Sequence, residues 1–274
     1  MTTQNTMTKS KRIRTFARAL VWSQLRAQGY RQFILPFGLG ILFLGANVVA
    51  SQHPGILTLT SEAAIRDLVN RYFTDISGDA FIIGLLVVQG PYLLSVFTAV
   101  VGVRVGESLV ESDIDSGRFE QYLNLPYRTT ELYQSFILGS LTLALLQTLV
   151  IGVIAIGGSL ALLVTKGVTF ASSIGSVLYV SFLIPIPMAL WATLVVIAIG
   201  LWSGSSSGTG DVGDLLKIVA VAPALSGVVA ISVQPGISLA LLTAGLLSFA
   251  VVSVVVMSAA MGRWFEPESV LRTT

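Results

Sequence analysis

The chain has no cysteine, a single histidine and few charged residues. Without cysteine it forms neither disulfides nor iron–sulfur clusters, and thiol catalysis is excluded. His53 falls in a predicted loop with no cysteine and no second histidine to join it, so a metal site is not expected. Charged residues make up 11% of the chain, whereas a soluble domain carries about 25%. The net charge of +2 is too small to indicate a nucleic-acid partner.

The few charges are also unevenly placed. Five long stretches contain no Asp, Glu, Lys or Arg, and they are Gln32–Ser61, Ala80–Val103, Leu132–Thr165, Gly167–Gly210 and Ile218–Gly262. Each exceeds the roughly 20 apolar residues that cross a hydrocarbon core of about 30 Å. With 54% hydrophobic residues and a mean hydropathy of +0.83, this pattern predicts an all-α membrane protein.

Turn signals divide these stretches into six predicted transmembrane helices. Gln234-Pro235-Gly236 separates the last two spans, and Pro223 lies in the short fifth span, for which a full crossing and a re-entrant path both stay open. Pro185 and Pro187 lie in the fourth span and require neighbouring groups to satisfy the freed carbonyls. The spans are expected within a domain of residues 32–262, at about 33–50, 80–103, 134–158, 175–201, 217–233 and 237–260.

Two further helices are predicted outside the spans. In the N-terminal segment 1–31, one apolar helical face flanked by arginines is formed by Ile13, Phe16, Ala17, Leu20 and Val21. A basic amphipathic helix of this kind lies in the membrane interface or packs on a soluble partner. A second surface helix, at about 61–74, is predicted by the same spacing of Ile65, Leu68, Val69, Tyr72 and Phe73.

Lysine and arginine predict the orientation of the chain in the membrane. With six spans, 13 of the 16 Lys and Arg residues fall on one side, which includes the N-terminal segment, residues 104–131 and the C-terminal tail 263–274. The opposite side receives Arg66, Arg71 and Lys166. Both termini are therefore expected in the cytoplasm. The membrane is expected to be the plasma membrane.

Apart from Lys217 at the first position of the fifth span, no Asp, Glu, Lys, Arg or His lies inside a predicted span, where Gln89 and Gln147 are the most polar long uncharged side chains. A coupled secondary carrier usually has an intramembrane carboxylate, so the pattern disfavours that class. The chain also lacks the phosphate-binding pattern G-x-x-x-x-G-K-[ST]. We therefore expect no catalytic residues and no cofactor on this chain, and any ATP is expected to be hydrolysed by another subunit.

The charged segment between spans 2 and 3 has the pattern of a short docking helix. Phe119, Tyr122 and Leu123 share one helical face, and Pro126 ends that helix. Thr129 or Thr130 is expected to cap the next helix, with Glu131 in its first turn. The segment is either an ordinary interfacial loop or a helix that docks a soluble subunit through apolar anchors ringed by charge.

This segment resembles the type-2 permeases of ATP-binding-cassette (ABC) transporters. Their pattern E-x-x-x-G-T-L-E-x-L-L-x-x-P-[VL]-x-x-x-E-[LI] is matched here by Glu111, Gly117, Phe119, Glu120, Leu123, Pro126, Glu131 and Leu132. Phe119 stands where the family usually has Leu, and the longer spacing gives Asp113 the equivalent acidic place as an alternative to Glu111. The basic entry helix, the six spans and the inside termini match the family layout as well.

The resemblance implies a non-catalytic permease subunit of an exporter, which dimerises with a second copy or a paralogue. The 113–125 helix would dock separate ATPase subunits that bind ATP and Mg²⁺. Contact with the ATPase is assigned to Phe119, Glu120, Tyr122 and Leu123, helix boundaries to Gly117 and Pro126, and charged contacts to Glu111, Asp113 and Arg128. The alternative functions are a passive membrane anchor or assembly factor, and an ATP-independent channel or carrier.

Overall fold

In a computed structural model the described part of the chain is almost entirely helical. The structure describes residues 8–52, 63–74, 76–115, 121, 129–203, 210–233 and 239–264. The elements in these ranges are α1 (Lys9–Gln28), α2 (Arg31–Gln52), α3 (Ala63–Asn70), β1 (Phe73–Thr74), α4 (Gly78–Asp115), α5 (Thr129–Gly152), a π-helix (Val153–Gly157), α6 (Gly158–Thr165), β2 (Thr169–Phe170), α7 (Ile174–Leu183), α8 (Pro185–Ser203), α9 (Gly210–Val233) and α10 (Leu239–Trp264).

Within the described residues, five helical segments are long and apolar enough to cross a membrane. They are Arg31–Gln52, Gly78–Leu109, Gln134–Thr165, Ile174–Ala198 and Ala240–Met257. These segments coincide with predicted spans 1, 2, 3, 4 and 6, and they agree with the prediction of an all-α, multi-pass membrane protein. Predicted span 5 falls on α9, a helix of 24 residues that continues through Pro223 and whose described apolar part is the shorter stretch Lys217–Ala230.

Some helices extend well beyond the predicted spans. Span 2, predicted at about 80–103, lies inside α4, which is 38 residues long, contains Pro91 and reaches Asp115. Span 3, predicted at about 134–158, lies inside a helical run formed by α5, the π-helix and α6 in direct succession. Hydropathy predicts where a helix crosses lipid, whereas the helix itself ends only where its backbone hydrogen bonding ends.

Predicted span 4 consists of two helices, α7 and α8, with a turn at Ile184 between them. Proline fits the first residue of a helix, as Pro185 does here, because the N–H at that position has no intrahelical acceptor. Ile184 links the two helices: its N–H donates to Val180 O at 3.2 Å, and its own carbonyl accepts from the Met188 N–H at 3.4 Å. Thr98 of α4 supplies a polar neighbour, since its hydroxyl lies 3.1 Å from both Pro185 O and Ser95 O and can donate to either.

The pair α4–α8 forms the most extensive helix contact among the described elements. A side chain at Gly102 would collide with the carbonyl oxygen of Ala189, and a Cβ at Gly106 would lie 2.9 Å from the Cβ of Val196. The Thr193 hydroxyl lies 3.0 Å from Gly102 O and 2.8 Å from Ala189 O, so it can donate to either carbonyl. Small residues therefore bring the two backbones together, as in other membrane helix pairs.

A second polar contact joins α2 to the helical run beyond α5. Asn47 is completely buried, and its Nδ2 donates to the hydroxyl of Ser159 at 2.8 Å. Gly40 permits the approach, because a Cβ there would lie 2.9 Å from the Ile154 side chain of the π-helix. The hydrogen bond between helices in this region is thus made by Asn47. The sequence analysis had drawn attention to the longer amides Gln89 and Gln147 instead.

The predicted surface helix at 61–74 is wrong at its C-terminal end. α3 stops at Asn70, and β1 pairs antiparallel with β2 so that Phe73 lies opposite Phe170. Val69 and Phe73 are both completely buried, so the apolar pattern is correct although the two residues reach the core from different elements. The Phe73 and Phe170 rings meet edge to face at 6.0 Å. A two-residue strand has no periodicity to detect, and its partner lies almost 100 residues away in the chain.

The predicted amphipathic N-terminal helix is present as α1, and it packs on α5. Ala17 and Leu20 of its apolar face are buried close to Gly139. A Cβ added at Gly139 would lie 3.5 Å from Ala17 O. Arg14 and Arg18 on the other face are exposed. The apolar face therefore holds α1 against the bundle, while its position in the membrane interface stays a prediction.

Candidate functional site at the ends of α4 and α5

The predicted coupling segment connects α4 to α5. Glu111 and Asp113 belong to the last turns of α4, where their side chains lie outside the described structure. The remaining predicted coupling residues also lie outside it, and they are Gly117, Phe119, Glu120, Tyr122, Leu123, Pro126 and Arg128. The docking helix at 113–125 therefore stays a prediction. Its two attachment points are defined, because α4 reaches Asp115 and α5 begins at Thr129.

Glu131 and Leu132, the last two residues of the matched pattern, are buried with exposures of 5% and 6%. Glu131 lies in the first turn of α5, as predicted, where the positive end of the helix dipole favours a carboxylate. Its backbone carbonyl accepts a hydrogen bond from the Ser135 hydroxyl at 2.7 Å. The start of α5 is thus embedded in the bundle at the point where the segment joins it.

Glu107 and Lys217 form an ion pair that links α4 to α9. The Nζ of Lys217 lies 2.8 Å from Oε1 of Glu107, and both side chains are partly exposed. Neither residue has a role in the sequence-based predictions. Their only signal in the sequence is that each stands close to the end of a charge-free stretch, and their pairing requires α4 and α9 to be neighbours, which no local pattern predicts.

Contacts along α4 give the direction of α9. Lys217 lies beside Glu107, and ten residues later Gly227 approaches Tyr92, whose Cδ1 would be 3.6 Å from a Cβ at that glycine. α9 therefore runs antiparallel to α4 between these two levels, which are fifteen residues, or about 22 Å, apart on α4. At the Tyr92 level α10 joins the pair, because the hydroxyl of Thr243 lies 2.9 Å from the phenol oxygen.

The same end of α4 carries Arg104, an exposed residue one turn before Glu107. Arg104 lines a groove against α2 that begins at Tyr30 and Arg31 and extends to Leu42. The groove has a volume of about 580 Å³. Arg104 and Arg31 are separated by more than 70 residues of chain, so the groove depends on the packing of α2 against α4 and has no signal in the local sequence.

No protein-family model, curated protein or solved structure matches this chain. Within the described ranges, no three His, Cys, Asp or Glu side chains gather into a group that would hold a metal ion. The charged side chains Arg104, Glu107 and Lys217 are exposed or partly exposed at one end of the bundle. This arrangement suits the binding of a partner protein or a charged headgroup.

Proposed function

We propose that this chain is the membrane-spanning subunit of a type-2 ABC transporter, an exporter in which it forms the substrate path as a dimer. It crosses the plasma membrane six times, keeps both termini in the cytoplasm and has no catalytic activity of its own. Separate ATPase subunits bind ATP and Mg²⁺ and dock on the 113–125 helix. The observation that carries the proposal is the matched pattern from Glu111 to Leu132 at the junction of two packed helices.

The packing of α4 and α5 supports a coupling role for the segment between them. In α4, 67% of the apolar stretch is buried, and α5 begins with the buried residues Glu131 and Leu132. Closely packed helices move as units rather than deforming continuously. A force applied to the segment would therefore reach α8 through the contact of Gly102 with Ala189, and with it the centre of the bundle.

The path of α9 supports a sixth crossing. The helix has 24 residues, or about 36 Å, and its apolar part Lys217–Ala230 is about 21 Å long, so a crossing would place the charged first turns at the headgroup level. The helix also runs antiparallel to α4, from the Glu107 level to the Tyr92 level, as a returning span requires. With α9 as a full crossing, the basic N-terminal segment, the coupling segment and the C-terminal tail all lie on one side of the membrane.

Co-purification tests the proposal. The tagged full-length chain is extracted from the membranes of its own host in mild detergent, and the bound proteins are identified by mass spectrometry. We expect an ABC ATPase in near-stoichiometric amount. The double variant Phe119→Ala/Tyr122→Ala should reduce its recovery by at least about tenfold, because aromatic anchors of an interface contribute about 2 kcal/mol or more each.

A matched control removes two aromatic rings elsewhere. Phe37 on α2 and Tyr179 on α7 are exposed by 53% and 66%, so Phe37→Ala/Tyr179→Ala should leave ATPase recovery unchanged. Both double variants must first be recovered from the membrane fraction at the wild-type level. Undiminished ATPase recovery with the Phe119/Tyr122 variant would refute the coupling role. Absence of any ATPase from the wild-type preparation would favour a passive anchor or an ATP-independent channel or carrier.

A further inference from the structure

The groove between α2 and α4 combines two arginines with an apolar floor. Its apolar lining includes Ile34, Leu35, Leu39 and Leu42, while Arg31 and Arg104 supply its charge. From Arg31 to Leu42 the groove follows eleven residues of α2, a length of about 16 Å. One site therefore offers cationic donors and an extended apolar surface together.

The two arginines carry positive charge that no described carboxylate neutralises. In the part of the chain that the structure describes, neither Arg31 nor Arg104 forms an ion pair. Glu107 is the nearest acidic residue on the same face of α4 as Arg104. Its carboxylate already pairs with Lys217, whose Nζ lies 2.8 Å away. Guanidinium groups bind phosphate oxygens through paired N–H donors, so an anionic phosphate is the complementary ligand.

The apolar part of the groove is open to its surroundings. Ile34 and Leu42 are each 58% exposed, and a Cβ added at Gly38 would meet nothing within 4 Å. These residues belong to a helix that is long and apolar enough to cross a membrane, so their exposed faces lie against acyl chains. A hydrocarbon chain can therefore enter the groove sideways and lie over Gly38.

The arginines lie near the ends of two helices that are long and apolar enough to cross a membrane. Arg31 is the first residue of the apolar segment Arg31–Gln52, and Arg104 lies five residues before the end of Gly78–Leu109, about 7.5 Å along the helix. Because Arg31 and Arg104 line the same groove, these two helix ends lie at the same end of the bundle. Long arginine side chains at such positions extend toward the headgroup region.

We propose that this groove binds an anionic phospholipid from the surrounding bilayer, with its phosphate between Arg31 and Arg104 and one acyl chain over Gly38. Basic pockets between membrane helices recognise anionic headgroups in this way. A zwitterionic lipid brings its own cation close to the arginines and binds more weakly. The bound lipid joins the start of α2 to the end of α4, and this role does not depend on an ATPase partner.

The test uses the full-length chain in neutral detergent, titrated with phosphatidylglycerol or with phosphatidylcholine of the same acyl chains. Native mass spectrometry counts the lipids retained. We expect preferential retention of phosphatidylglycerol, and about thirtyfold weaker binding in Arg31→Gln/Arg104→Gln. The matched control Arg14→Gln/Arg18→Gln removes the same charge from the exposed face of α1 and should weaken binding by less than about threefold.

A second pair of variants tests the acyl chain and keeps both arginines. Gly38→Leu fills the groove floor and should weaken phosphatidylglycerol binding about tenfold, whereas Gly45→Leu, on the same helix at a position that is equally open, should not. Equal retention of the two lipids, or equal losses in a variant and its control, would overturn the proposal. So would inorganic phosphate that stabilises the chain as well as the lipid does, because a phosphate site alone would then explain the binding.

Discussion

α4 and α10 are both long apolar helices, yet they occupy opposite environments. In α4, 67% of the apolar stretch is buried inside the protein, whereas in α10 the share is 11%. The exposed side of α10 presents a row of large apolar residues that includes Leu241, Val251, Val252, Val255 and Val256. Two helices that hydropathy cannot tell apart therefore have different roles, one as the centre of the bundle and the other as an outer surface.

The difference shows that membrane helices associate through shape rather than through apolar character. On α4, Gly102 and Gly106 admit the backbone of α8, and the hydroxyl of Thr193 lies within hydrogen-bonding distance of carbonyls on both helices. On α10, Gly245 has nothing within 4 Å. Because lipid tails are as apolar as leucine, close packing and hydrogen bonds decide which helices meet.

Gly102→Leu should have the largest effect, because the new side chain would strike the α8 backbone, which cannot move aside cheaply. Overpacking of this kind costs about 3 kcal/mol, which corresponds to a fall in Tm of about 5 °C for a chain of this size. Tryptophan fluorescence during heating in detergent measures it. Gly245→Leu on α10 is the matched control and should move Tm by less than about 2 °C. Equal shifts would contradict the assignment of α4 to the centre of the bundle.

Thr193→Val should have an intermediate effect. The substitution keeps the shape of the side chain but removes the hydroxyl that bonds to Gly102 O or Ala189 O, at a cost of about 0.5–1 kcal/mol. Unfolding in a titration with sodium dodecyl sulfate measures the loss. The control is Thr142→Val, since the hydroxyl of Thr142 is exposed and bonds only within its own helix, to Leu138 O at 2.7 Å. An equally large loss of stability in Thr142→Val would mean that the hydrogen bond from Thr193 to the neighbouring helix does not stabilise the protein.

The smallest effect is expected from the two ion pairs at opposite ends of α4. Glu107–Lys217 spans 2.8 Å, whereas Asp79–Lys166 spans 3.8 Å and its aspartate is 59% exposed. A double-mutant cycle with Glu107→Gln and Lys217→Gln should give a coupling of about 0.5 kcal/mol, reduced by added salt. The cycle with Asp79→Asn and Lys166→Gln should give less. A larger coupling for the longer pair would reverse the order that the geometry predicts.

Much of the fold was predictable where a local signal exists. The long charge-free stretches placed span 1 at about 33–50, and α2 is found at Arg31–Gln52. Thr129 or Thr130 was expected to cap a helix with Glu131 in its first turn, and α5 begins at Thr129 with Glu131 in that turn. A prediction failed where the signal is not local: Phe73 is in a strand because of its partner Phe170. Span 4 is found as predicted, and the structure adds a turn at Ile184 just before Pro185.

The candidate site likewise contains features that the sequence predicted and features that it did not. A local pattern predicted a coupling segment, and in the structure the helices on either side of it reach Asp115 and begin at Thr129. The segment's docking role stays a prediction. The Glu107–Lys217 pair and the groove of Arg31 and Arg104 were not predicted. Each of these joins residues more than 70 positions apart, so each depends on which helices are neighbours.

By itself, the sequence determined that the chain forms apolar helices of membrane-crossing length and where most of their charged flanks lie. Hydropathy and charge act locally, so a lipid bilayer selects these stretches without reference to the rest of the fold. Only the tertiary structure decided that Gly102 meets Ala189, that Lys217 reaches Glu107 and that α10 stays at the surface. Packing in lipid depends on how two surfaces match, and a single stretch of sequence contains only one of them.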